Sequence, residues 1–205
     1  MYDLYFSPGA CSLAFHTMLR EVGAPFQLIN KADVPEADYA AINPTGTVPV
    51  LKDGDHYVRE GAAIALAIAE AFPTDLLPVG AAGTNAREAM LFANASVHPA
   101  YSKLFFLAFN LEDGPVKTQA LELAAARVAK LWAILDQTLE TSAYVAGDAL
   151  TIADIMLTVY ANWGQFFPVD IPLGKNVQRV IADVTKRPAF QEALAAEGVT
   201  YKAAA

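Results

Sequence analysis

Tyr5-Phe6-Ser7-Pro8-Gly9-Ala10-Cys11-Ser12 is the stretch that decides the fold. It leaves a short apolar strand, Tyr2 to Phe6, through a turn set by Pro8 and Gly9. A helical pattern follows at once, with Leu13, Met18, Leu19 and Val22 along its apolar face. Cys11 and Ser12 therefore fall where a strand hands over to a helix, at or just before the first helical turn. The opening amides of a helix lack partners inside it, and the helix dipole favours negative charge there. A thiolate so placed is expected to have a lowered pKa and to serve as nucleophile or anion partner. The plainer alternative is a small buried cysteine followed by a serine that caps the helix.

Working outward, the first helix ends near Gly23 with Pro25 beyond it, and Phe26 to Asn30 reads as a second strand. His16 follows Cys11 by five residues, about 500° of helical rotation, so the two do not share a face and His16 is read as structural. Residues 33–42 allow a brief helix ending at Asn43-Pro44. In Asn43-Pro44-Thr45-Gly46-Thr47-Val48-Pro49-Val50-Leu51 a strand is expected from Val48. Pro49 cannot donate to a ladder, so it belongs at an edge or after a cis peptide bond in a turn. Lys52-Asp53-Gly54-Asp55 marks a hairpin, His56-Tyr57-Val58 is the returning strand, and Arg59-Glu60-Gly61 leads into a helix from about Ala62 to Phe72. The first 75 residues thus read as a mixed four-stranded sheet with helices on its faces.

Proline-punctuated residues 76–84 read as a linker, and beyond them strand patterns vanish. Residues 85–205 read as an all-helical domain. It begins with a long helix from Asn85 to about Asn110, kinked or broken at Pro99. A second runs from Pro115 to Leu139, a third opens at Thr151-Ile152-Ala153-Asp154, and two more cover Asn176 to Lys186 and Pro188 to Glu197. Thr151 with Asp154 three residues on has the spacing of a capping box, so Asp154 is assigned to folding rather than chemistry.

The 205 residues are 55% hydrophobic, which supplies ample core. A net charge of −8 argues against nucleic acid and against an anionic membrane surface as partners. The single cysteine excludes an intrachain disulfide and suits a reducing compartment. A strand from residue 2 leaves no room for a signal peptide, and no apolar run nears the ~20 residues of a membrane span. A cytoplasmic protein is expected.

Taken in order, Cys11-Ser12, Asn43-Pro44-x-Gly46-x-Val48-Pro49, Glu60-Gly61-Ala62-Ala63-Ile64 and Thr151-Ile152-Ala153-Asp154 resemble the cytosolic glutathione transferases, most closely the bacterial beta class. The likeness spans the chain. It implies a thioredoxin-like domain followed by an all-α domain, glutathione as co-substrate, no metal, and a homodimer acting on small hydrophobic electrophiles. It also implies a cis Pro49 that lets the Val48 backbone, with Thr47 beside it, pair with the cysteinyl part of glutathione. Glu60 and the amides at Gly61 would take its γ-glutamyl end.

By the same resemblance Cys11 faces the glutathione sulfur, with Ser12 either hydrogen-bonding the thiolate or capping the helix. His98, in register with a beta-class histidine, either tunes the thiol or is a satisfied polar residue of the bundle. Tyr5, Phe6, Tyr101, Phe105, Trp163 and Phe166 are candidates for the apolar electrophile pocket, Trp163 foremost. Thr45-Gly46-Thr47 lacks the Lys or Gln that relatives often carry, and Lys31 is a poor substitute for a cation on glutathione's glycine carboxylate. Two further readings stay open. One is thiol–disulfide exchange or peroxidase chemistry through a Cys11–glutathione mixed disulfide; the other is a non-catalytic interaction protein on the same fold.

Overall fold

The computed structural model describes residues 1–203. β1 (Tyr2–Phe6) runs parallel to β2 (Phe26–Asn30) and antiparallel to β3 (Val50–Asp53), which pairs in turn with β4 (His56–Arg59). The order is β2-β1-β3-β4. A parallel pair needs a crossover, and α1 (Ser12–Glu21) supplies it. Alternation along the strands splits the apolar residues between two faces. Leu4 and Leu51 enter the main core, whereas Tyr5 and Val50 join Tyr39 in a smaller cluster on the other side. Tyr39 comes from α2 (Glu36–Ile42), which a 3₁₀ turn at Lys31–Asp33 precedes. α3 (Gly61–Ala71) completes this half.

The helical half contains α4 (Gly80–Phe92), α5 (His98–Asn110), α6 (Pro115–Thr138), α7 (Ile152–Ala161), α8 (Lys175–Thr185) and α9 (Pro188–Glu197). Three sequence expectations shift. The strand expected from Val48 begins at Val50, so Val48 and Pro49 precede the ladder. The helix expected from Asn85 starts at Gly80, inside the proline-punctuated stretch. The break expected at Pro99 falls just before it, as a π-helical turn at Ala93–Val97 that leaves Pro99 in the first turn of α5. Such a widened turn relieves the missing N–H and the ring's clash with the preceding carbonyls.

α1 is buried along Ser12 to Leu19 because the sheet covers one side and α7 and α9 cover the other. α7 is buried throughout. It starts at a capping box in which the Asp154 carboxylate accepts from the Thr151 N–H at 2.8 Å, the Thr151 hydroxyl at 3.0 Å and the Val145 N–H at 3.0 Å. No helix among the described residues is long and apolar enough to cross a membrane.

Candidate active site

Cys11 sits directly before α1 with helical backbone angles, φ −58° and ψ −22°. Its Sγ donates to the Val48 carbonyl at 3.4 Å. The amides of Cys11 and Ser12 favour the thiolate, as expected of a helix start, but burial acts more strongly and nearby Glu60 adds to it. The thiol is pushed up to about 12. The expected low pKa is therefore reversed, because desolvation of the charged form outweighs a few oriented N–H groups. Ser12 is buried and turned away from the cleft: its Oγ donates to the Ser7 carbonyl and accepts from the Ser7 N–H, both at 3.4 Å. It braces the loop before Cys11.

That loop is held by the helical half. The Gly9 N–H donates to Glu197 Oε2 at 3.0 Å, and the Gly9 carbonyl accepts from Trp163 Nε1 at 2.9 Å. Glu197 Oε1 lies 2.9 Å from His16 Nδ1, with both side chains fully buried. Arg20 Nε donates to His16 Nε2 at 2.9 Å. Arginine has only donors, so His16 accepts at Nε2 and carries its proton on Nδ1, where it donates to Glu197. The structural role read for His16 is thus given a partner.

Opposite Cys11, the Thr47 carbonyl accepts from Tyr39 Oη and Asn43 Nδ2, each at 2.8 Å, which fixes the approach to Val48. The Val48–Pro49 peptide is cis. Lys31 Nζ donates to the Gly46 carbonyl and lies 5.4 Å from the Tyr39 ring centroid. It stands at the cleft mouth with Thr47 and Val48. Glu60 is exposed and takes a left-handed φ of 71°, a conformation that costs a non-glycine residue about 1–3 kcal/mol. Gly61 opens α3 where a Cβ would lie 2.6 Å from Phe15 Cζ, so the core leaves no room for a side chain.

His98 closes the cleft from the helical half. Its ring stands edge-on to Tyr160 at 5.3 Å and to Trp163 at 5.4 Å, and burial holds its pKa below the usual imidazole value. The inner recess, about 250 Å³, brings together Cys11, Val48, Glu60, Gly61, His98 and Tyr160. An outer chamber of about 670 Å³ shares Cys11, Val48 and His98 and is walled by Phe105, Phe109, Trp163 and Phe166. Of the aromatics expected there, Phe105, Trp163 and Phe166 are present. Tyr5 belongs to the small cluster behind the sheet, Phe6 is buried, and Tyr101 is buried with its hydroxyl accepting from Trp132 Nε1 at 2.9 Å. Sequence reasoning missed Asn94 and Tyr160, which line the recess from helices whose surrounding residues read simply as core. A separate groove of about 530 Å³ between α4 and α6 shares no residue with this cleft, and its one titratable lining residue is Glu88.

A cysteine at a strand–helix junction, a cis proline and a helical half that covers both stand together on a thioredoxin-like domain. Comparison with known proteins agrees. The N-terminal domain family of glutathione S-transferases matches residues 9–71, and the C-terminal domain family matches residues 97–188. Glutathione S-transferase GST-4.5 of Xanthomonas campestris pv. campestris is 34% identical, with 96% of this chain and 98% of that one covered. A sphingomonad glutathione S-transferase complexed with glutathione superposes with a TM-score of 0.82 at 32% identity, covering 97% of this chain and 100% of the other. The bacterial beta-class enzyme of Sphingomonas chungbukensis gives a TM-score of 0.82 at 30% identity, with the same coverage. The chain belongs to the glutathione S-transferase family of transferases.

Proposed function

We propose that the protein conjugates glutathione, through its sulfur, to small hydrophobic electrophiles. The observation that carries this reading is the convergence of Cys11, cis Val48–Pro49, Glu60–Gly61 and His98 on one recess that opens into an aromatic chamber. The cysteinyl part of the tripeptide pairs with the Val48 backbone, and Thr47 flanks it. Its γ-glutamyl ammonium meets the Glu60 carboxylate, and its carboxylate meets the free amides that open α3 at Gly61. Lys31 supplies the cation at the far end. The electrophile lies against Phe105, Trp163 and Phe166. A homodimer fits the half-exposed Leu66, Leu91 and Ile134 on α3, α4 and α6.

A neutral Cys11 thiol favours conjugation over the disulfide-exchange alternative, since exchange requires the thiolate of Cys11 itself. Cys11 then stands beside the substrate sulfur without attacking it. The test is retention on immobilised glutathione followed by an electrophile panel with the Cys11→Ala protein. Conjugation by the variant at a tenth or more of the parental rate is expected. Failure of the parent to bind glutathione, or complete loss of turnover in Cys11→Ala, sinks the assignment.

A further inference from the structure

Tyr160 is a buried polar residue of the recess to which the proposed reaction assigns no role. It sits in the last turn of α7, 1% exposed, stacked on Trp163 at 4.6 Å and met edge-on by His98. Two other buried tyrosines have hydroxyl partners. Tyr39 Oη donates to the Thr47 carbonyl at 2.8 Å, and Tyr101 Oη accepts from Trp132 at 2.9 Å. Among the described residues the Tyr160 hydroxyl has none: burial and the neighbouring Cys11 alone act on its ionisation. Tyr160 lines the recess that Cys11, Glu60 and His98 also line. A buried hydroxyl without a protein partner costs free energy unless something else fills the role.

We infer that Tyr160 is a catalytic residue whose hydroxyl donates a hydrogen bond to the sulfur of the bound thiol and stabilises its thiolate. This rests on the glutathione reading above. The sulfur is where negative charge is needed for attack, and a preorganised donor in a partly desolvated recess acts most strongly on such a charge. Two neighbouring donors are turned elsewhere: the Cys11 S–H points to the Val48 carbonyl and the Ser12 hydroxyl to the Ser7 carbonyl. The His98 ring, its pKa lowered by burial, offers one neutral N–H, and its Nδ1 lies 3.4 Å from Ser102 Oγ. Tyr160 resists ionisation, so it remains a donor across the working pH range. No proton is transferred to or from the phenol; the thiol's own proton leaves to solvent. The ionisable groups around that sulfur are Cys11 from α1, Glu60 ahead of α3, His98 from α5 and Tyr160 from α7.

The experiment compares Tyr160→Phe with its parent. Removing an unpartnered hydroxyl leaves the packing of the ring intact, so the melting temperature is expected to hold. In a Cys11→Ala background, where only glutathione supplies a thiol, the ultraviolet absorbance of the bound thiolate is followed against pH. The apparent pKa should rise by about one to two units when the hydroxyl is lost. With Cys11 present, conjugation near neutral pH should fall about tenfold and recover as the pH is raised. Binding of S-methylglutathione, which has no ionisable sulfur, should be unchanged. An unmoved thiolate pKa with intact S-methylglutathione binding overturns the role of Tyr160 while leaving the glutathione reading standing, and so does a change confined to the KM of the electrophile. If the parent does not bind S-methylglutathione, both fall together.

Discussion

At the scale of single residues, two opposing influences meet at Cys11. The amides of Cys11 and Ser12 pull its pKa down, but closure of the helical half over the loop removes the water that would solvate a thiolate. Burial prevails, and with the thiol at about 12 the thiolate is scarce at neutral pH. Alkylation of Cys11 by iodoacetamide at pH 7.5 should therefore be slower than that of free cysteine. Its rate should keep rising with pH, without a plateau below pH 10. A plateau near pH 7 would show a low-pKa nucleophile and return disulfide exchange to first place. The position of Cys11 was legible, since Pro8-Gly9 between an apolar strand and an apolar helix permits little else. Its ionisation was not legible, because the walls that dehydrate it, Val48, His98 and Tyr160 among them, arrive from remote parts of the chain.

At the scale of elements, local chemistry explains what could be read in advance. The strand at Phe26–Asn30 and the helix at Pro188–Glu197 stand where turn residues and apolar spacing put them. The π-helical turn was not readable, because Pro99 signals a lost hydrogen bond without saying how the backbone will absorb it. The aromatic wall was half legible for a similar reason. In strands the two faces alternate, and nothing local tells that Tyr5 faces the cluster behind the sheet. The start of α7 is the clearest case of chemistry fixed by spacing. Asp154→Ala would strip an acceptor from two N–H groups and the Thr151 hydroxyl. Stability should fall by about 2–4 kcal/mol, measured by urea denaturation, since these bonds to a carboxylate are partly sealed from water. Asp154→Glu, whose longer arm still reaches the cap, should recover part of the loss. A change under about 0.5 kcal/mol would remove the cap from the account of the fold.

At the scale of the molecule, the two halves share one core. Leu13, Phe15 and Met18 of α1 lie in the same buried cluster as Val97, Ile155 and Phe190 of the helical half. Glu197 adds polar links to this apolar one by holding His16 and the Gly9 amide together. Removing its carboxylate leaves one buried and one half-buried donor unmet, so Glu197→Ala should lower stability by about 3 kcal/mol in a denaturant titration. The sheet and the helices should still unfold in a single transition, because neither half keeps a complete core alone. Near-parental stability in Glu197→Ala, or separate transitions for the two halves, would contradict a shared core. The sequence offered no route to this pairing: a histidine on a buried helix face asks for a partner, but its donor-accepting carboxylate comes 181 residues later.

The tie between Gly9 and Glu197 joins positions 188 residues apart. A ribosome delivers the first long before the second. While the chain is still being made, the turn ahead of Cys11 lacks its acceptor, and a product released early, short of Glu197, never gains it. A chain cut short after Trp163 but before Glu197 keeps one of the two ties on Gly9, and one cut short before Trp163 keeps neither.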